Sequence, residues 1–180
     1  MKGAIFIAMN ELVEESFGLP VWLNALDKAC SDGAYTSAET YDDEALIAIA
    51  QALSEDLNTP MPDLLFAFGE FLFGFLYRGH PAYVDRCTEF FEFIESVGSM
   101  IHKEVRKLDD EAQPPTVSLQ RHSSSEGVLS YRSSRQLCRL AEGLLTGASK
   151  HFSINISLEH QQCMHHGADL CLIKVTQVDG

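Results

Sequence analysis

The chain has 180 residues, 46% of them hydrophobic, and a formal net charge of −13. That length and hydrophobic fraction fit one domain, or two closely packed lobes, around an ordinary core. The sign of the charge weighs against a free-standing nucleic-acid binder, which needs Lys and Arg against phosphate, and against docking on an anionic membrane surface. Residues 1–111 carry −14 and residues 112–180 carry +1. This asymmetry suits two lobes with different surfaces, or simply solvated helix faces in the first part. Acids interrupt the N-terminal apolar run by Glu11, so no secretion signal is visible. No stretch approaches the ~18 apolar residues of a membrane span. Five cysteines, an odd number with no framework spacing, point to a cytoplasmic protein with reduced thiols or a metal site.

The first half reads as helices. "AIFIAMNELVEESFG" places Ile5, Met9, Leu12, Val13 and Phe17 at helical spacing, with Gly18 as a stop. "PVWLNALDKAC" begins with Pro20 near a first turn. "DDEALIAIAQALSEDLN" has acids at its start, where the helix dipole favours them. "MPDLLFAFGEFLFGFLYRGH" is too rich in Phe for a one-sided surface helix, so it is central to the core or walls an apolar cavity. "PAYVDRCTEFFEFIESVGSMIHKEV" supplies one or two more helices and leads to His102.

A polar connector follows from Leu108 to Pro115, where two prolines forbid helix. Next come a strand at "TVSLQRH", a turn at "SSSEG", a strand at "VLSYRS", a helix from about Arg135 to Lys150, and strands at "FSINISLEH" and "DLCLIKVTQ". The class is α+β: an N-terminal helical lobe, then a small antiparallel four-stranded sheet with a packed helix.

Tyr131, Ser133 and Arg135 stand two residues apart. On a strand they face one side. Their usual fate is an exposed polar strand end. A guanidinium with two hydroxyl donors also suits a ligand bearing carboxylates. His102 alone reads as a helix-terminal imidazole. Combined with a Phe-rich wall and the carboxylate-binding row, it suits a flat apolar cofactor with two carboxylates and an axial iron site. Haem is the candidate.

Cys138, His160, Cys163 and Cys171 form a second set, C-x21-H-x2-C-x7-C. Three thiolates and an imidazole make a tetrahedral zinc set. The spacing is not a common finger spacing, and three reduced buried thiols fit it as well. His165 and His166 are substitute ligands.

The segments "MKGAIF", "YTSAETYDDEAL", "FGEFLFGFL", "IHKEVRKL", "YRSSRQLCRLAEGLLTGASKHF" and "CMHHGADLCLIKV" occur in an order that resembles the haem nitric oxide/oxygen binding family, the H-NOX domains. The resemblance covers essentially the whole chain as a single domain over 1–180. It implies a distal helical lobe over about 1–63 and a proximal lobe over about 64–180 that includes the sheet. It implies haem b with His102 as proximal ligand, and Tyr131, Ser133 and Arg135 on the propionates. Pro115 would press on the porphyrin, with Ile5 on the distal side. Some bacterial members resemble the Cys138, His160, Cys163 and Cys171 arrangement and hold zinc there.

Dioxygen-binding members carry a distal Tyr five residues after the motif Arg. Here that position is Leu140, and Ile5, Met9 and Leu144 are also apolar. The expectation is therefore a nitric oxide sensor that rejects dioxygen, because bound dioxygen needs a hydrogen-bond donor. The resemblance further implies release of the proximal His on NO binding. The signal would then pass to a separate partner, a sensor histidine kinase or a cyclic-di-GMP enzyme. The alternative is a zinc and thiol redox sensor built on the cysteine set. No phosphate-binding Gly loop, nucleophile elbow or interpretable carboxylate pair indicates an enzyme.

Overall fold

In the computed structural model, which describes residues 1–108 and 112–178, four long helices come first. They are α1 (Gly3–Phe17), α2 (Leu19–Lys28), α3 (Asp43–Asp56) and α4 (Met61–Gly79). Their starts and stops follow local chemistry. Gly18 ends α1 at φ 88, a conformation that costs glycine little. Pro20 sits in the first turn of α2. Asp43 and Glu44 occupy the first turn of α3.

The next segment is more broken than the sequence suggests. Where one or two helices were expected, α5 (Ala82–Asp85), α6 (Phe90–Ser96), a π-helical turn (Val97–Ile101) and α7 (His102–Leu108) follow one another. Part of the expected connector, 109–111, lies outside the described residues. Residues 112–115 take no regular structure. Then come β1 (Thr116–Arg121), β2 (Glu126–Arg132), α8 (Cys138–His151), β3 (Asn155–Gln162), a short 3-10 turn (Met164–His166) and β4 (Cys171–Val178). The sheet is antiparallel throughout, in the order β1-β2-β4-β3. This is the expected α+β architecture.

Helix α8 begins three residues later than expected. Gln136 has φ 51 and Leu137 has ψ 48, neither of them right-handed helical, so residues 133–137 form a turn. Strand β2 ends at Arg132. Ser133 and Arg135 therefore share a turn, and only Tyr131 of the expected row stands on the strand.

Apolar side chains gather in two core clusters. One joins α1, α2, α3 and the first part of α4, with Leu137 and Leu140. The other joins Phe73, α6, the sheet and the opposite side of α8. Leu144 packs against both. Helices α4 and α8 form the seam, and glycines let them meet backbone to backbone. A Cβ on Gly143 would lie 2.0 Å from the Phe66 carbonyl oxygen, and one on Gly69 would lie 2.2 Å from that of Leu140. Gly143→Ala must therefore force the helices apart. Overpacking of this kind costs about 1–3 kcal/mol, read as a lowered Tm in thermal unfolding. An unchanged Tm would mean that the seam is slack.

Candidate functional site

His102 follows the π-helical turn directly. Such turns insert one residue into a helix and recur at functional positions. The approach of this segment to the sheet is close: a Cβ on Gly98 would lie 1.8 Å from the Val117 carbonyl oxygen. Burial pushes the His102 imidazole below its ordinary pKa, with the Pro115 carbonyl pulling the other way. The neutral ring that results is the form that ligates a metal.

Residues 113–115 bring the separate sequence signals together. Arg135 Nη1 donates to the Gln113 carbonyl at 2.7 Å. Arg106 Nη2, on α7, approaches the Pro114 carbonyl at 3.5 Å. The Pro115 carbonyl acts on His102. One proline-rich segment thus spans from the His102 helix to the Arg135 turn. An open pocket of about 300 Å³ adjoins it, lined by Gln113, Pro114, Thr116, Arg132, Ser133 and Ser134.

Tyr131 and Ser133 are both buried. Burial raises the Tyr131 phenol, and the neighbouring Cys138 and Cys171 add to this, while Ser133 and the backbone at Leu137 oppose it. The phenol therefore stays protonated and can donate. Ser133 Oγ accepts from the Arg135 backbone N–H at 3.3 Å, which closes the turn. The Arg135 Nε lies 2.7 Å from Asp43 Oδ2. Its N–H points elsewhere, so this contact is an ion pair without a formed hydrogen bond. Asp43 also accepts from the N-terminal ammonium of Met1 at 2.8 Å. Sequence reasoning took Asp43 only as a helix-start acid and missed this pairing.

Among the described residues, three buried side-chain nitrogen or oxygen atoms lack a hydrogen-bond partner: His102 Nδ1, Arg135 Nε and His160 Nε2. Buried polar atoms are almost always satisfied. All three belong to residues that the sequence assigned to a ligand. Ile5 and Leu144 are half-buried although they pack on the cores, and Leu140 is buried beside them. Apolar side chains, a buried imidazole and a turn carrying a guanidinium are groups whose chemistry fits a flat, carboxylate-bearing, iron-containing group.

The second set converges. The donor atoms of Cys138, His160, Cys163 and Cys171 all lie within 4.8 Å of one another. Cys163 Sγ is 3.9 Å from Cys138 Sγ and 3.9 Å from Cys171 Sγ. A disulfide needs about 2.05 Å, so these are thiols. Tetrahedral zinc with Zn–S of about 2.3 Å sets its sulfurs about 3.8 Å apart. A register shift between His160 and Gln162 in β3 explains how both donors of the His-x2-Cys step reach one place. Residues three apart on a regular strand face opposite sides, and a bulge corrects this. His165 bonds the Gln136 carbonyl at 2.8 Å and stands outside the set, as does His166. Burial and the adjoining thiols push the Cys138 thiol up to about 12, and burial raises Cys171. Of the other two cysteines, Cys87 is half-buried and Cys30 is exposed in the turn after α2, at φ 52.

Burial raises the Asp43 carboxyl, but Arg135 and the N-terminal ammonium outweigh it and hold its pKa below the ordinary value. A depressed carboxylate stabilises the fold above its unfolded pKa of about 3.9, and that contribution is lost as pH falls through the folded value. Asp43→Asn should therefore be less stable than the parent in urea at pH 7. The gap should narrow as pH falls below the ordinary carboxylate range; a gap independent of pH would remove the ion pair as its source.

The family model "Haem-NO-binding" matches residues 2–160. An H-NOX protein from S. oneidensis, solved in the Fe(II)NO state, is 37% identical over 99% of this chain and 100% of its own, at a TM-score of 0.94. The Shewanella oneidensis SO2144 H-NOX domain in the Fe(II)CO state is 37% identical over all of both chains, at 0.91. The Fe(II) unliganded H-NOX protein of K. algicida is 26% identical over 100% of this chain and 98% of its own, at 0.90. No curated protein matches the chain.

Proposed function

The chain belongs to the haem-NO-binding family, and on that premise we propose that it is a haem-based nitric oxide sensor signalling to a separate partner. The observation that carries this reading is the buried His102 imidazole, its Nδ1 without a hydrogen-bond partner, linked through residues 113–115 to the guanidinium of Arg135. Haem, when bound, supplies a ferrous iron that takes NO. His102 is the proximal ligand. Tyr131, Ser133 and Arg135 hold the propionates, as donors around two carboxylates. Pro115 and the apolar side chains of Ile5, Leu140 and Leu144 would contact a bound porphyrin.

Those side chains carry no hydrogen-bond donor, so they discriminate against dioxygen and leave NO binding intact. His102 would tether α7 to a bound haem, and loss of that hold would free the helix. The distal lobe, about 1–63, and the proximal lobe, about 64–180, then shift against each other as a two-state element. The partner is a sensor histidine kinase or a cyclic-di-GMP enzyme. Among the described residues no helix is long and apolar enough to cross a membrane.

Purified, reduced protein should show a haem visible spectrum that changes when NO is added and stays unchanged on brief exposure to air. His102→Gly should lose haem unless free imidazole is supplied. A haem-free parent protein, or a spectrum specific to dioxygen, would sink this reading.

The clustered thiols favour a second reading beside the first, a zinc site that also senses oxidants. Thiolates oxidised by peroxide no longer hold the metal. Zinc analysis should give one ion per chain in the parent and none in Cys138→Ala; equal zinc in both would remove the site as drawn.

A further inference from the structure

Glu142 is only 4% exposed, yet it sits in the middle of α8. A carboxylate in such a place must be paired. Its two oxygens are divided between two elements. Oε2 accepts from Arg139 Nη1, and Oε1 lies 2.5 Å from His160 Nε2 on β3. The contact runs beside the ring, since His160 Nε2 has no in-line hydrogen bond. Arg139 is itself held in place. Its guanidinium lies 5.0 Å from the centre of the Phe66 ring, and Nη2 is 3.7 Å from Asp63 Oδ1 at the start of α4.

Cys138 and Glu142 are four residues apart on α8, so the helix offers a thiol and a carboxylate on one face. Glu142 is outside the set of mutually close donor atoms. It touches the imidazole without joining the cluster. Imidazole ligands of zinc are typically fixed by such an outer carboxylate, whose loss weakens metal binding about 10–100-fold.

We propose that Glu142 is a positioning residue for the metal site, its carboxylate holding the His160 ring for an ion bound with Cys138, Cys163 and Cys171. The proposal rests on the zinc reading above. Arg139 balances the charge that Glu142 brings into the interior and anchors it to α4. The ring is thus set by the helix seam as well as by the β3 bulge.

The test is the rate at which zinc-loaded protein gives up its ion to excess EDTA. Glu142→Ala should retain one zinc per chain and release it about 10–100-fold faster than the parent. Glu142→Gln, which keeps the shape and one acceptor, should fall between them, and it carries the test if the Ala variant does not fold. Cobalt(II)-loaded parent and Gln variant should share the same visible bands, because the four ligand atoms are unchanged. In a His160→Ala background, Glu142→Gln should make no further difference to release.

Unchanged release in both Glu142 variants would overturn the proposal. A shifted cobalt spectrum would make Glu142 a ligand and overturn it too. An equal effect with and without His160 would reduce Glu142 to a packing role. A parent that binds no zinc would instead defeat the metal reading itself.

Discussion

The close approach of α4 and α8 is the contact on which the rest of the structure depends. The helices meet where Gly69, Gly143 and Gly147 leave room for a facing backbone. Small residues here let dispersion act over the full length of two helices. The two core clusters are joined along this seam, with α8 giving Leu140 to one and Cys138, Leu145 and Ala148 to the other. One helix therefore supplies a wall residue for the first candidate site and a thiol for the second.

The two sites are also neighbours across the sheet. Tyr131 pairs with Cys171 in the β2–β4 register. Cys138 begins the helix that ends the Arg135 turn. On the proposed readings, a metal held by Cys138 and Cys171 clamps both strand and helix beside the propionate grip. Losing it would release the supports of Tyr131 and Arg135 together. Thiol oxidation and gas binding would then bias the same local structure, which is what coupling between sites requires.

Much of this was legible in the chain, for identifiable reasons. Met9 and Val13 stand at helical spacing and are buried as that spacing implies, whereas Phe17, read on the same stripe, is exposed at the end of α1. The Phe-rich α4 is central as its composition implies, giving Phe68 to one core and Phe73 to the other. The metal donors were legible as residue types, although the β3 bulge that joins His160 to Cys163 has no local marker in the sequence. The turn at residues 133–137 was hidden because alternating Tyr, Ser and Arg looks like a strand. Asp43 and Arg135 are distant in sequence, and only the packed lobes reveal them as a pair. Glu142 did leave a trace. Cys138, Glu142, Leu145 and Ser149 form the spacing of a buried stripe, and an acid inside such a stripe signals a partner.

The proposed signal needs a pivot near His102. A helix tethered at His102 can transmit its release only if some nearby point stays fixed. Gly98 is packed hard against the Val117 carbonyl of β1, so the start of the π-helical turn is fixed to the sheet. His102 stands just past the end of that turn. On the proposed reading, movement of α7 would be taken up by the residues between, where a π-turn already departs from the regular α-helical bonding pattern. The segment at 113–115 touches both α7 and Arg135, and Arg135 reaches Asp43 at the head of α3. A displacement of α7 then has a continuous path of polar contacts into the helical lobe, ending at the N-terminal ammonium on Asp43.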